Sequence, residues 1–257
     1  MLKFNIVVPS IRIDDLLIKC VQGIIVQNFK NYALSIIVEQ KDNTDYLKNI
    51  LNQKKIKYKI IISKLSNISA KRNLGSKQFA SEYLAFIDSD AYPINSWLSI
   101  GLKYFETEKI IVLGGPSGIP FKDEEEKCLI SNYAKRSFFC TANLSKRKYS
   151  RNNHYFDWLE SCNFIIKKSA FDKVGGMNEN QYIFEDLELC SKINKEYGKG
   201  KILFAGDLIV YHKDRNIKNF LKQRFVYGMF IFEALQQSNS FGKFTSLIPL
   251  IFSIIFL

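Results

Sequence analysis

With 257 residues, 47% of them apolar, the chain is sized for one α/β domain with elaborations and carries enough apolar material for a sizeable core, which excludes disorder as the default. Five scattered cysteines (Cys20, Cys128, Cys140, Cys162, Cys190) form no CxxC pair and have only two histidines for company, so neither a disulfide framework nor a zinc site is indicated and a reduced compartment is expected. A formal net charge of +12 asks for an anionic partner, whether nucleic acid, a phosphorylated small molecule or an anionic membrane, unless it reflects only a lysine-rich composition.

The first residues, "MLKFNIVVPS", enter a strand at once, with no charged region ahead of an apolar one and a cleavage site, so no secretory signal is visible and the cytosol is the expected location. Strand-like runs then alternate with helical stretches: "FNIVVP", Asp14 to Asn28, "ALSIIVE", Asp45 to Gln53, "YKIIIS", Ser69 to Ser81 and "YLAFID". Four strands separated by helices in ninety residues predict βαβ units and a mostly parallel sheet with right-handed crossovers. After a further strand, "KIIVLGG", the segment from Pro116 to Asp157 is polar, mixed in charge and rich in aromatics. It reads as an excursion from the sheet, with a helix near Glu124 to Arg136, and as the part that sets specificity. Regular patterning returns with "CNFIIKKSAF", a turn at "VGGMNE", a helix from about Glu185 to Glu196 and one strand, "KILFAGDLIVYH".

Past His212 the character changes, and the chain divides into a body over 1–212 and a C-terminal helical segment over 213–257. Ile217, Phe220, Leu221, Phe225, Met229, Phe232 and Leu235 recur at three- and four-residue spacings, with Lys213, Arg215, Lys218, Lys222 and Arg224 crowding the start. This pattern fits a helix on an anionic bilayer surface and equally a helix packed on its own domain. The closing "LIPLIFSIIFL" is apolar but short of the ~20 residues that span a bilayer, and is expected to contact a membrane.

Asp88 and Asp90 stand one residue apart where the apolar run Tyr83 to Ile87 ends, the place where open α/β sheets bind their ligands. Two such carboxylates can hold a hard divalent cation that shares its shell with substrate phosphates, or can simply cap a turn before "INSW". Glu185 and Asp186 open a helix, where carboxylates serve as partners of the helix dipole or, facing a pocket, as a general base. His212, at a strand end, is placed either to approach a metal or to be structural.

Three stretches in this order, "NISAKRNLGSKQFASEYLAFIDSDAYPINSWL", "CNFIIKKSAFDKVGGMNENQYIFEDLELCSKI" and "QRFVYG", give the chain from about Phe4 to Gly228 a resemblance to the inverting nucleotide-sugar glycosyltransferases of family 2. The resemblance implies a GT-A fold, a mostly parallel central sheet flanked by helices, ahead of the amphipathic and apolar tail. It implies that Asp88 and Asp90 bind Mn2+ or Mg2+ and the donor diphosphate, that Asp186 is the catalytic base with Glu185 shaping the acceptor site, and that Arg72 and Asn73 lie near the donor. Arg224 would meet phosphate or the acceptor. Where family members show an Asp-Asp-Gly-Ser-like turn, this chain has "VEQKDNTD", so Glu39 or Asp42 would touch the nucleotide base; the usual Pro-x-Tyr-Asn appears as "PSIRID", leaving Pro9 and Ser10 to line the pocket without the aromatic.

The implied activity is transfer from a nucleoside-diphosphate sugar, a UDP-sugar favoured, to a glycan or lipid-linked acceptor at the cytosolic face of a membrane. The alternative is a nucleotide-binding module of the same fold without turnover. Nucleic acid is not an expected partner, because the basic residues form no reading motif with an aromatic platform.

Overall fold

A computed structural model describes residues 1–41, 43–120, 126–137, 149–181 and 183–229. Its first half is the expected alternation. Strands β1 (Leu2–Pro9), β2 (Tyr32–Val38), β3 (Lys57–Ile62) and β4 (Ser81–Ile87) are all parallel, in the order β3-β2-β1-β4, and are joined through helices α1 (Asp15–Ile25), α2 (Thr44–Gln53) and α3 (Ile68–Ser76). Every residue of β2 is buried, as a continuous apolar run between two helical layers requires. Helices α1 and α3 start where a short polar side chain satisfies a free backbone N–H: Asp14 accepts from Leu17 N at 3.1 Å, and Asn67 from Ala70 N at 3.1 Å.

The second half extends the sheet from β4 with β8 (Asn163–Lys167), β6 (Val112–Gly114), β9 (Ile202–Phe204) and β7 (His154–Tyr155), giving eight strands among the described residues. Four pairings in this sheet are parallel and three, β4–β8, β6–β8 and β7–β9, are antiparallel, so the sheet is mixed with a parallel majority. Helix α4 (Trp97–Thr107) packs with α1 and α2 over one face, while α6 (Lys168–Lys173) and α7 (Glu185–Tyr197) pack over the other, so the core lies on both sides of the sheet. Helix α5 occupies Glu126–Arg136 and α8 occupies Ile217–Met229, with Lys135 lying over the Phe220 ring between them.

The structure corrects two elements. The stretch "KILFAGDLIVYH" is two strands, β9 and β10 (Val210–His212), separated by a turn in which Leu208 N bonds Ala205 O at 3.2 Å. At Gly206 a side chain would fall 2.0 Å from the Arg151 carbonyl oxygen, so the chain can pass there only as glycine. Thus released, β10 leaves the main sheet and pairs antiparallel with the three-residue β5 (Ala91–Pro93) in a separate ribbon. Helix α3 stops at Ser76 rather than Ser81, because the chain must already be extended where β4 begins.

The seat of α3 is unusually close. Asn5, fully buried in β1, donates to Gly75 O at 3.0 Å and accepts from Ser35 Oγ at 2.7 Å, so a polar group in the core strand is satisfied by tying the helix down. At Gly75 a Cβ would stand 2.4 Å from Val7 Cγ1 and 2.6 Å from Ile37 Cδ1. Gly75→Ala is therefore expected to destabilise the fold by about 1–3 kcal/mol, read as a lower urea midpoint at unchanged m-value. An unchanged midpoint would mean that the helix can rise off the sheet freely.

Candidate active site

Two strand pairings converge on the end of β4. Beyond Ile87 the chain turns, with Ala91 N bonded to Asp88 O at 3.1 Å, so Asp88 and Asp90 lie on the bend between β4 and β5. On one side Ile87 stands opposite Asn163, and the same register brings Cys162 up to Asp88. On the other, Ala91 stands opposite His212, and Lys213 N bonds Asp90 O at 3.0 Å. Asn163 anchors the first pairing: its amide donates to Leu208 O at 2.7 Å and Pro116 O at 3.2 Å, and its carbonyl accepts from the buried indole of Trp97 at 2.8 Å.

His212 Nε2 is 3.3 Å from Asp90 Oδ1 and 3.9 Å from Asp88 Oδ2. Its Nδ1 donates to Lys213 O at 2.8 Å, a bond in which only nitrogen can donate, and this fixes the ring with Nε2 turned toward the two carboxylates. Each carboxylate thus approaches the same ring nitrogen, and oxygen and nitrogen donors of this kind suit a divalent cation. Burial alone would raise the Asp88 carboxyl, but the His212 imidazole and the Arg72 guanidinium outweigh it and hold the group well below the usual carboxylate range.

Arg72 is the hinge of the site. The side chain is 1% exposed, yet it donates from Nη2 to Asp88 Oδ1 at 2.7 Å and from Nη1 to Glu185 Oε1 at 2.9 Å. Burial works against its charge, but Asp88, Glu185 and Asp186 more than offset that and keep it protonated. Its Nε has no hydrogen-bond partner among the described residues. On the far side of the guanidinium, Glu185 and Asp186 open α7 directly after Phe184, a non-glycine residue held at φ 65°. Asp186 accepts from Leu187 N at 2.8 Å and Ser161 N at 3.2 Å. Burial, then the charges of Glu185 and Glu160, push its carboxyl up to about 8, so it keeps its proton at neutral pH.

A second buried cation organises the ends of β1 and β2. Lys71, 3% exposed, donates to Ser10 O at 2.8 Å and to Glu39 Oε1 at 2.5 Å, gathering Ser10 and Glu39 beside Pro9. Asn73, next on α3, is spent elsewhere: its amide donates to Met177 O and Glu179 Oε1, each at 2.8 Å, and its carbonyl accepts from Met177 N, fastening the loop after the Gly-Gly turn. Arg224 lies on α8, and Asp42 lies outside the described residues. A shallow hollow between α1 and α2, lined by Asp15, Ile18, Lys19, Gln22, Asn43 and Tyr46, shares no residue with these clusters.

The structure thus brings Arg72, Asp88, Asp90, Glu185 and His212 into one cluster with Asp186 beside them, and Pro9, Ser10 and Glu39 into a neighbouring one. Sequence reasoning missed Lys71, Glu160 and Cys162. A lysine reads as solvated until its helix is seated, and Cys162 gains meaning only from the antiparallel register with β4.

A model of the family described as glycosyl transferase family 2 matches residues 5–175. A pre-mycofactocin glycosyltransferase of Mycobacterium tuberculosis is 23% identical over 162 residues, covering 62% of this chain and 33% of its own, so the chain spans about a third of that relative's length. Among solved structures, TarS 1-349 of S. aureus in complex with UDP-GlcNAc aligns with a TM-score of 0.64 at 14% identity, over 98% of this chain and 72% of that one. The mannosyltransferase PcManGT from Pyrobaculum calidifontis, in complex with GDP-Man and Mn2+, aligns at 0.68 with 12% identity, over 92% and 65%. These likenesses establish the GT-A transferase fold.

Proposed function

The chain belongs to glycosyl transferase family 2, and from that premise we propose that it is an inverting transferase that moves a sugar from a nucleoside-diphosphate sugar to an acceptor hydroxyl. The observation that carries this reading is Arg72, a single buried guanidinium that ties the donor-side Asp88 to the acceptor-side Glu185 and so fixes the distance between the two halves of a displacement.

Asp88, Asp90 and His212 would hold Mn2+ or Mg2+. Bound there, the cation supplies positive charge against the diphosphate that leaves. Asp186, once it has lost its own proton, takes the proton of the acceptor hydroxyl as that oxygen bonds the anomeric carbon and the bond to the diphosphate breaks. One displacement inverts the configuration. Glu185, held by Arg72, shapes the acceptor side, and Arg72 stands on the helix beside the donor, with Asn73 next to it fastening the loop at Met177 and Glu179. Pro9 and Ser10 line the pocket for the base, and Glu39, held with Ser10 by Lys71, or Asp42 touches the base. Arg224 is assigned to phosphate or acceptor contact. A uridine donor is favoured because the S. aureus structure holds UDP-GlcNAc, and the Pyrobaculum enzyme's GDP-Man keeps guanosine in the test.

The acceptor is a glycan or lipid-linked saccharide, in surface polysaccharide, glycolipid or glycan synthesis at the cytosolic face of a membrane. Among the described residues no helix is long and apolar enough to cross a bilayer. Support for surface contact comes from α8. Ile217, Leu221, Phe225 and Met229, four residues apart, are all exposed, as are Lys213, Arg215, Lys218 and Lys222, while Phe220 is buried and Tyr227 packs on Phe184 at 5.2 Å. One face of the helix is docked on the 1–212 catalytic body and the other is left for a lipid surface. The remainder of the 213–257 segment, with "LIPLIFSIIFL", lies outside the described residues.

Thermal unfolding against UDP, GDP, CDP and TDP, each with and without Mn2+, tests the reading. Nucleotide at about a hundred times Kd should add roughly 2.7 kcal/mol, a Tm rise of about 5–10 °C, with one nucleotide and only when metal is present. No shift with any nucleotide would overturn it, and a metal-linked shift without transfer or hydrolysis would leave the binding module.

A further inference from the structure

The site contains a ligand that a magnesium site does not need. Cys162 Sγ, a carboxylate oxygen of Asp88 and a ring nitrogen of His212 all lie within 4.8 Å of one another. The thiol is placed by backbone pairing, since β8 meets β4 in the register that sets Cys162 against Asp88, and the Asn163 hydrogen bonds fix that end of β8. Cys162 is 8% exposed, so its approach to the carboxylate is a packed arrangement and not a surface coincidence. Cys20 makes the contrast: it too adjoins the motif, but its thiol points at the Asp88 carbonyl oxygen, 3.5 Å away, and takes no place in the cluster.

Ligand chemistry then decides which cation suits the cluster. Metal–nitrogen bonds of about 2.0–2.1 Å and metal–sulfur bonds of about 2.3 Å set tetrahedral ligand atoms roughly 3.4–3.6 Å apart, a contraction the present spacing permits with small side-chain shifts. Asp90 Oδ1, 3.3 Å from His212 Nε2, stands at the edge of the cluster. Thiolate and imidazole favour zinc, cobalt or cadmium over magnesium, and at mixed N, O and S sites zinc also binds more tightly than manganese.

We propose that Asp88, Cys162 and His212 form a binding site for a thiophilic divalent cation, so that the donor subsite of this chain takes zinc-like metals through sulfur in preference to Mg2+. The inference rests on the reading of Asp88 and His212 as cation ligands and adds the sulfur and the class of metal it selects. On binding, the Cys162 thiol gives its proton to solvent and the sulfur bonds the metal, with no change of oxidation state. Zinc therefore competes with manganese for the subsite.

Co2+ titration of the full chain tests this directly. Thiolate-to-cobalt charge-transfer absorption in the near ultraviolet is expected to appear, to bleach on addition of Zn2+, to be lost in Cys162→Ser and to survive in Cys20→Ser. On the parent protein, Zn2+ is expected to shield Cys162 from iodoacetamide, read by peptide mass spectrometry, which keeps the test independent of how the variant folds. Co2+ bound without that absorption, or absorption that persists in a folded Cys162→Ser, overturns the sulfur ligand while leaving the oxygen and imidazole site standing. Alkylation of Cys162 at the same rate with and without Zn2+ overturns it too. No bound Co2+ in equilibrium dialysis removes both the sulfur ligand and the cation role of Asp88 and His212.

Discussion

Arg72→Met is expected to unfold about 3–5 kcal/mol more easily than the parent and to transfer no sugar. Methionine fills much of the volume, so the loss is electrostatic. Asp88 and Glu185, with side chains 26% and 14% exposed, would each lose the cation they bond at 2.7 and 2.9 Å and remain as poorly compensated charges. The Asp88 carboxyl, held low by His212 and Arg72 against its own burial, would lose one of those two supports. Urea denaturation followed by tryptophan fluorescence reads the stability, since Trp97 is fully buried close by and bonded to Asn163. Arg72→Lys should recover only part of it, because a point charge cannot span two carboxylates as the guanidinium fork does. Stability within about 1 kcal/mol of the parent would mean that solvent relieves the exposed carboxylates, and that the guanidinium is not what holds the two halves together.

Asp186→Asn is expected to lower turnover by about 10²–10⁴-fold, the usual contribution of a positioned base, and at alkaline pH to raise the melting temperature. The folded protein pushes this carboxyl up to about 8, by burial first and then by Glu185 and Glu160. A group raised in this way binds its proton more tightly in the folded chain than in the unfolded one. Its stabilising contribution is complete below the ordinary carboxylate range and is lost as pH rises through about 8. Asparagine cannot ionise, so the variant escapes that loss and should melt above the parent at about pH 9, with the gap narrowing toward about pH 5. In the parent, kcat/KM should climb as pH rises through about 8, because only the deprotonated carboxylate accepts the acceptor's proton. A profile flat across that range would take the role of base away from Asp186.

Sequence and structure agree where a signal is local. The strands β1, β2 and β4 are largely apolar runs set off by helical stretches, and Asp88 and Asp90 are marked by standing where such a run ends. Glu185 and Asp186 follow a Gly-Gly turn, and His212 closes an apolar run, so each announces itself. What stayed illegible is non-local or short. The β5–β10 ribbon is three residues on each side, too few for a period, and it is this pairing that brings His212 to Asp90. The break at Gly206 depends on the passage of Arg151 beside it, which no neighbouring residue foretells. Lys71 looks like any solvated lysine until Gly75 lets α3 lie against Val7 and Ile37, at which point its ammonium has only Ser10 and Glu39 to meet.

The antiparallel arrival of β8 has a consequence for how the chain is made. Strand β4 is apolar and buried along almost its whole length, and its outer edge is covered by β8, which lies about 75 residues further along. At roughly 5–20 residues per second, a nascent chain that has folded β1 to β4 carries that edge uncovered for about 4–15 s. An open apolar edge is a template for pairing with another chain. Ribosomes reading one message together bring such edges close to one another, so the demand for a chaperone falls in this interval and ends when Asn163–Lys167 has been synthesised and laid against β4.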